Sequence, residues 1–158
     1  MTERPASVFF DTSVLLAALI DFGAASADPG ALFDALVAGR IPAPRTAWHC
    51  CLEFYSVATR LPEEFRLTPA DARRLLSEEI FGRLEIHHLP ARQRQPFFAT
   101  AARDALAGGR IYDAEIAAVA LASGATTLVT DNRRHFQRFA TAGLQVLSSR
   151  ELRGRLLR

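Results

Sequence analysis

Four carboxylates occupy positions from which a folded chain can bring acids together. Asp11 ends the short apolar run Val8-Phe9-Phe10, and small hydroxyl residues Thr12-Ser13 and a second apolar run, Val14-Leu15-Leu16, follow it. That order reads as a buried strand that delivers Asp11 to its C-terminal tip, with a helix starting just beyond. Asp131 repeats the strand-then-acid arrangement after Thr127–Thr130, Asp113 stands near the head of an alanine-rich helical stretch, and Glu53 lies inside a helix among Cys51, Leu52, Phe54 and Tyr55. Parallel strands share a C-terminal edge, and ligands of open α/β sheets bind in the crevice outside it. Carboxylates gathered there repel one another and some are pushed toward protonation unless a cation neutralises them. Hard oxygen donors without His or Cys favour Mg2+ or Mn2+ over zinc. Such ions neutralise phosphate charge and activate water. Each acid alone also has a structural use, since Asp11 can cap a helix and Asp113 suits a helix N-terminus.

The elements that must position these groups follow from periodicity and turn residues. Val8–Phe10 predicts a first strand and Val14–Ile20 a helix. Asp28-Pro29 opens a second helix that carries Leu32, Phe33, Leu36 and Val37 and stops at Gly39. Ile41-Pro42-Ala43-Pro44 is a short extended piece, because two prolines forbid a long strand. A long helix is expected from Thr46 to about Leu61, with Trp48, Leu52, Tyr55 and Thr59 recurring along it, and another from Thr68-Pro69. Leu84–Leu89 reads as a strand, Ala91–Leu106 as a helix ended by Gly108-Gly109, and Ala114–Ser123 as a helix stopped by Gly124. Thr127–Thr130 and Leu144–Leu147 complete the strands, with a short helix or turn between them and a basic helical tail from Ser149. Strands separated by helices imply an α/β fold, a central parallel sheet flanked by helices on both faces.

Composition narrows the chemistry. With 158 residues, the chain is expected to form one domain spanning 1–158. The net charge is only +2, yet all nineteen basic residues are arginine. The absence of lysine excludes a Schiff-base lysine, a P-loop lysine and a lysine general base. Arginine binds phosphate in a bidentate manner, so the composition is compatible with a nucleic-acid partner. Cys50 and Cys51 are adjacent, which disfavours a disulfide between them, and two such cysteines fit a reducing cytosol and buried packing. The N-terminal stretch loosely resembles a leader, but Asp11 interrupts its apolar part and Glu3 offsets Arg4, so no signal is expected. No uncharged run approaches the roughly 18 residues of a membrane span, and no membrane association is expected.

Taken in order, Asp11-Thr12-Ser13, Glu53 in its helix, Asp113-Ala114-Glu115-Ile116-Ala117-Ala118-Val119-Ala120 and Leu128-Val129-Thr130-Asp131-Asn132-Arg133-Arg134-His135-Phe136 resemble the PIN-domain pattern. The overall form is similar to the VapC-type toxins of bacterial toxin–antitoxin pairs, over roughly Val8 to Leu147. The resemblance implies a PIN-like three-layer fold and a Mg2+- or Mn2+-dependent ribonuclease that needs no nucleophilic side chain. Asp11 and Asp113 would bind the metal, Glu53 would complete the acidic pocket, and Ser13 and Thr130 would orient it. The family's last motif is threonine, any residue, then aspartate or asparagine. Here Asn132 stands third and Asp131 in the variable position, so either residue is a candidate to face the site. Arg110, Arg133 and Arg134 are candidates to hold RNA phosphates, and Tyr112 and Phe136 to stack on a base or to pack internally. His135 is a candidate supporting group, whereas Glu115, two residues past Asp113, is expected on another side of the helix. The family also implies a cognate antitoxin, a homodimer and a cytoplasmic location, with the helices Thr46–Leu61 and Thr68–Phe81 available as surfaces.

Three competing readings remain distinct. A haloacid-dehalogenase-like phosphatase wants a second acid where Ser13 stands, and it also wants a lysine. A receiver domain wants a lysine too. A PIN-like module that binds RNA or protein without cutting is the stronger alternative, and convergence of Asp11, Glu53 and Asp113 is the feature that separates it from a nuclease.

Overall fold

The computed structural model describes residues 5–140 and 143–156; Glu3 and Arg4, on which the leader expectation turned, lie outside them. The element order is β1 (Val8–Phe10), α1 (Thr12–Leu19), α2 (Ala27–Val37), β2 (Arg45–Ala47), α3 (Trp48–Ala58), α4 (Pro69–Leu75), β3 (Glu85–His87), α5 (Ala91–Arg103), α6 (Arg110–Ala122), β4 (Thr127–Val129), α7 (Arg133–Phe136), β5 (Gln145–Leu147) and α8 (Ser149–Leu156). A 3-10 turn, Gly23–Ser26, leads into α2, and another, Gln137–Phe139, follows α7. A π-helical stretch, Leu76–Phe81, continues α4.

The five strands form one parallel sheet in the order β3-β2-β1-β4-β5. Side chains alternate across it as strand geometry requires. Val8, Phe10, Val129 and Leu147 point into one core with Leu15, Leu32, Phe54 and Leu152. Phe9, Leu128 and Val146 point into the other with Ile116, Val119 and Phe136. Two faces buried under helices make the expected three-layer α/β arrangement, and they explain why the strands are apolar throughout rather than alternating with polar residues. The chain leaves β1 toward β2 and β3, then returns to place β4 on the other side of β1. The strand order therefore reverses between β1 and β4, and a reversal point of this kind opens a ligand crevice at the strand C-termini.

Most elements start within a few residues of their sequence-based positions, with two instructive departures. Thr46 does not open a helix. It is the middle of β2, paired with Ile86 of β3, and its Oγ1 donates to the Phe10 carbonyl at 2.7 Å. The two prolines upstream delay the strand until Arg45, and α3 begins as soon as it ends. The recurring set Trp48, Leu52 and Tyr55 faces outward, while Cys50, Cys51, Phe54 and Ala58 supply the buried side of α3. The other departure is α6, which begins at Arg110, so that Asp113 lies inside the first turn. It ends at Gly124, whose φ of +78° is a backbone conformation that glycine adopts without strain. Among the described residues, no single helix is long and apolar enough to cross a membrane.

Candidate metal and active site

Asp11 is the residue between β1 and α1, and it sits at the reversal point. Its backbone N–H donates to the Val129 carbonyl at 3.0 Å, which ties the end of β1 to the end of β4. Its side chain is buried, only 3% exposed. Thr130 Oγ1 donates to Asp11 Oδ2 at 2.8 Å and Ser13 Oγ donates to the same oxygen at 2.9 Å. Each hydroxyl is itself fixed by a main-chain amide. Asn132 N–H donates to Thr130 Oγ1 at 3.0 Å, and Asp131 N–H donates to Ser13 Oγ at 3.2 Å. Two amides therefore aim two hydroxyls at one carboxylate oxygen. The arrangement needs a small hydroxyl residue two positions past Asp11 and another directly after β4, which is where Ser13 and Thr130 stand.

Burial raises the Asp11 carboxyl above the ordinary aspartate range; the two hydroxyl hydrogen bonds oppose this, and the Glu53 charge adds to it. Asp113 is also raised, first by burial. His135 lowers it, Glu53 raises it and His49 lowers it. The three acids thus share one electrostatic neighbourhood, with Glu53 common to both shifts. Their side chains are held separately. His135 Nδ1 lies 3.5 Å from Asp113 Oδ2, and His49 Nε2 lies 3.3 Å from Glu53 Oε1.

His49 is the group sequence reasoning missed. It occupies the first turn of α3, immediately beyond β2, and its other nitrogen, Nδ1, lies 3.4 Å from Glu115 Oε2. The hydrogen bond to Glu53 raises its pKa and outweighs the opposing effect of burial; the Glu53, Glu115 and Asp113 charges add to the rise. Glu115, two residues past Asp113, contacts His49, which links it to Glu53. The i,i+4 relation of His49 and Glu53 was the available signal, since such pairs meet on one helix face.

The remaining expected residues divide. Asp131 is directed elsewhere. Its Oδ1 accepts from Ser149 N–H at 2.9 Å and its Oδ2 from Ser149 Oγ at 2.8 Å, so both oxygens are engaged at the head of α8. Asn132 contributes its main-chain amide to the Thr130 hydroxyl. Arg133 is drawn to Glu151 at 2.8 Å and to Gln137, whereas Arg110 and Arg134 pair with no carboxylate among the described residues. Phe136 is buried in the core and Tyr112 is exposed. The thiols are buried; desolvation pushes Cys50 up to about 12 and Cys51 up to about 11, so both are protonated and poor nucleophiles.

Among the described residues, no group of three or more His, Cys, Asp or Glu side chains is arranged as a ready metal cage. The donor chemistry nevertheless fits a hard divalent cation. Asp11 and Asp113 are both shifted toward protonation and Glu53 contributes to each shift, so a cation among them would relieve the repulsion that Glu53 exerts on both.

A sequence model described as the PIN domain matches residues 7–134. Ribonuclease VapC27 of Mycobacterium tuberculosis is 35% identical over 99 residues, which cover 63% of this chain and 69% of that protein. Among solved structures, PAE2754 from Pyrobaculum aerophilum superposes with a TM-score of 0.65 at 22% identity, covering 96% of this chain and 97% of its own. VapBC2 from Rickettsia felis, bound to a DNA fragment from its promoter, gives 0.60 at 18% identity over 89% of this chain and 97% of its own.

Proposed function

This chain belongs to the PIN domain family, and from that premise we propose that it is an endoribonuclease dependent on Mg2+ or Mn2+, the toxin of a toxin–antitoxin pair. The observation that carries the reading is the buried Asp11 carboxylate at the sheet's reversal point, aimed by Ser13 and Thr130 and electrostatically coupled to Glu53, which is in turn coupled to Asp113. Its similarity to a ribonuclease at 35% identity supports the same reaction class.

Asp11 and Asp113 would hold the cation, and Glu53 would border it as the third negative charge. When bound, the cation would supply positive charge to the scissile phosphate and a lowered pKa to an attacking water. The chain's own part is orientation. The Ser13 and Thr130 hydroxyls fix the rotation of the Asp11 carboxyl group, so that Oδ2 is committed to them. Arg110 and Arg134 are the arginines available for phosphate oxygens, while Arg133 is held by Glu151. Asp131 anchors α8. No side-chain nucleophile is needed, consistent with two protonated, buried thiols. An antitoxin protein and a second copy of the chain are the expected partners. The VapBC2 assembly on promoter DNA supports the former, and the outward face of α3 offers apolar surface for either. A reducing cytoplasm suits two free cysteines.

A non-catalytic binding module is the second reading, and the separate engagement of Glu53 by His49 and of Asp113 by His135 favours it. Incubating purified protein with total RNA in Mg2+, in Mn2+ and in EDTA decides between them. We expect cleavage with either metal, none in EDTA and none from Asp113→Asn. Intact RNA throughout, from folded protein free of antitoxin, would favour the binding module.

A further inference from the structure

Tyr112 has no role in the acid network, yet it stands directly before Asp113 in the first turn of α6. Its side chain is 56% exposed. One face of the ring lies on the His49 imidazole, with centroids 5.3 Å apart and planes at 25°. His49 cannot turn freely, because Glu53 of α3 and Glu115 of α6 hold its two nitrogens. A fixed imidazole therefore backs the phenol ring, and more than half of Tyr112 remains exposed to solvent. Arg110, at the start of the same helix, pairs with no carboxylate among the described residues.

Proteins that bind single-stranded nucleic acid combine basic groups for the backbone with exposed aromatic faces for the bases. A ring already held in place loses little freedom when a base stacks on it. We propose that the solvent-facing side of Tyr112, backed by His49, is a shelf on which one nucleobase of the substrate stacks, positioning the strand beside Asp113. The inference rests on the nuclease reading above and adds a substrate-positioning residue to it. Recognition is by stacking alone, so the shelf accepts any base.

Fluorescence anisotropy in EDTA tests this without turnover. The probes are a labelled single-stranded RNA of roughly twelve nucleotides, within the usual range of site sizes, and an abasic ribose-phosphate strand of equal length. Wild type should bind the base-bearing strand roughly 5- to 150-fold more tightly than the abasic one, as expected for one stacked base. Tyr112→Ala should lose that preference while keeping wild-type affinity for the abasic strand, which a merely structural defect would not do. Tyr112→Phe and Tyr112→Trp should retain it. Equal preference in wild type and Tyr112→Ala would overturn the shelf alone. Failure of wild type to bind either strand, together with intact RNA in the cleavage assay, would overturn the shelf and the nuclease reading together.

Discussion

At the scale of single residues, Asp11 pits function against stability. Its carboxyl is raised chiefly by burial, so the fold penalises the ionised form. A raised group contributes stability that is full below the ordinary aspartate range and is lost as pH rises through the folded value. Near neutral pH and without divalent cations, the ionised Asp11 is therefore a burden. Asp11→Asn keeps an acceptor for Ser13 and Thr130 and removes the charge. It should melt at a higher temperature than wild type in EDTA, with a margin that widens as pH is raised from the acid side, and it should lose metal-dependent cleavage. A lower melting temperature at all pH values would show that the carboxylate is favoured by its hydroxyl partners more than burial disfavours it. Asp11, Ser13 and Thr130 were legible because a strand, an acid and small hydroxyls follow in fixed order along the chain. His49 was legible only through its i,i+4 spacing to Glu53, because its other contact, Glu115, comes from a distant helix. Asp131 was ambiguous because its partner, Ser149, lies on another element eighteen positions away.

At the scale of elements, the strands carry the least information individually. Each has three residues, too short for periodicity to declare itself. β1 and β4 were legible from their continuous apolar character. β2 was hidden behind Pro42 and Pro44, and the Thr46 side chain that completes its link to β1 reads equally well as a helix start. The helix α3 begins at Trp48 rather than at Thr46, and the recurrence of Trp48, Leu52 and Tyr55 left open which of its faces is buried. An aromatic stripe normally marks the buried face, yet here the two cysteines, Phe54 and Ala58 fill the core, and Trp48, Leu52 and Tyr55 stay outside. The Asp131–Ser149 contact links the end of β4 to α8 and gives a prediction at this scale. Asp131→Ala should destabilise the protein by about 1 kcal/mol, the usual cost of losing a helix N-terminal partner, while reducing cleavage much less than Asp11→Asn. Urea unfolding beside the RNA assay measures both. Equal loss of cleavage would place Asp131 in the reaction.

At the scale of the whole molecule, a modest net charge of +2 conceals an uneven division of labour. Glu53 is electrostatically coupled to both Asp11 and Asp113, while Arg110 and Arg134 pair with no carboxylate among the described residues and are the groups proposed to meet a polyanion. The exposed row Trp48, Leu52, Tyr55 and Phe81 is the apolar surface most suited to association. If the proposed homodimer uses this row, Leu52→Glu should shift it toward monomer in sedimentation at low micromolar concentration, without lowering the melting temperature of the monomer; an unchanged distribution would contradict this interface. The most direct test of the account is a titration of the metal-free protein with Mn2+, followed by electron paramagnetic resonance, for wild type and Asp11→Asn. Saturable binding to wild type that is lost in the variant is the predicted result. Binding of equal strength and stoichiometry to both proteins would mean that the crevice headed by Asp11 is not the metal site.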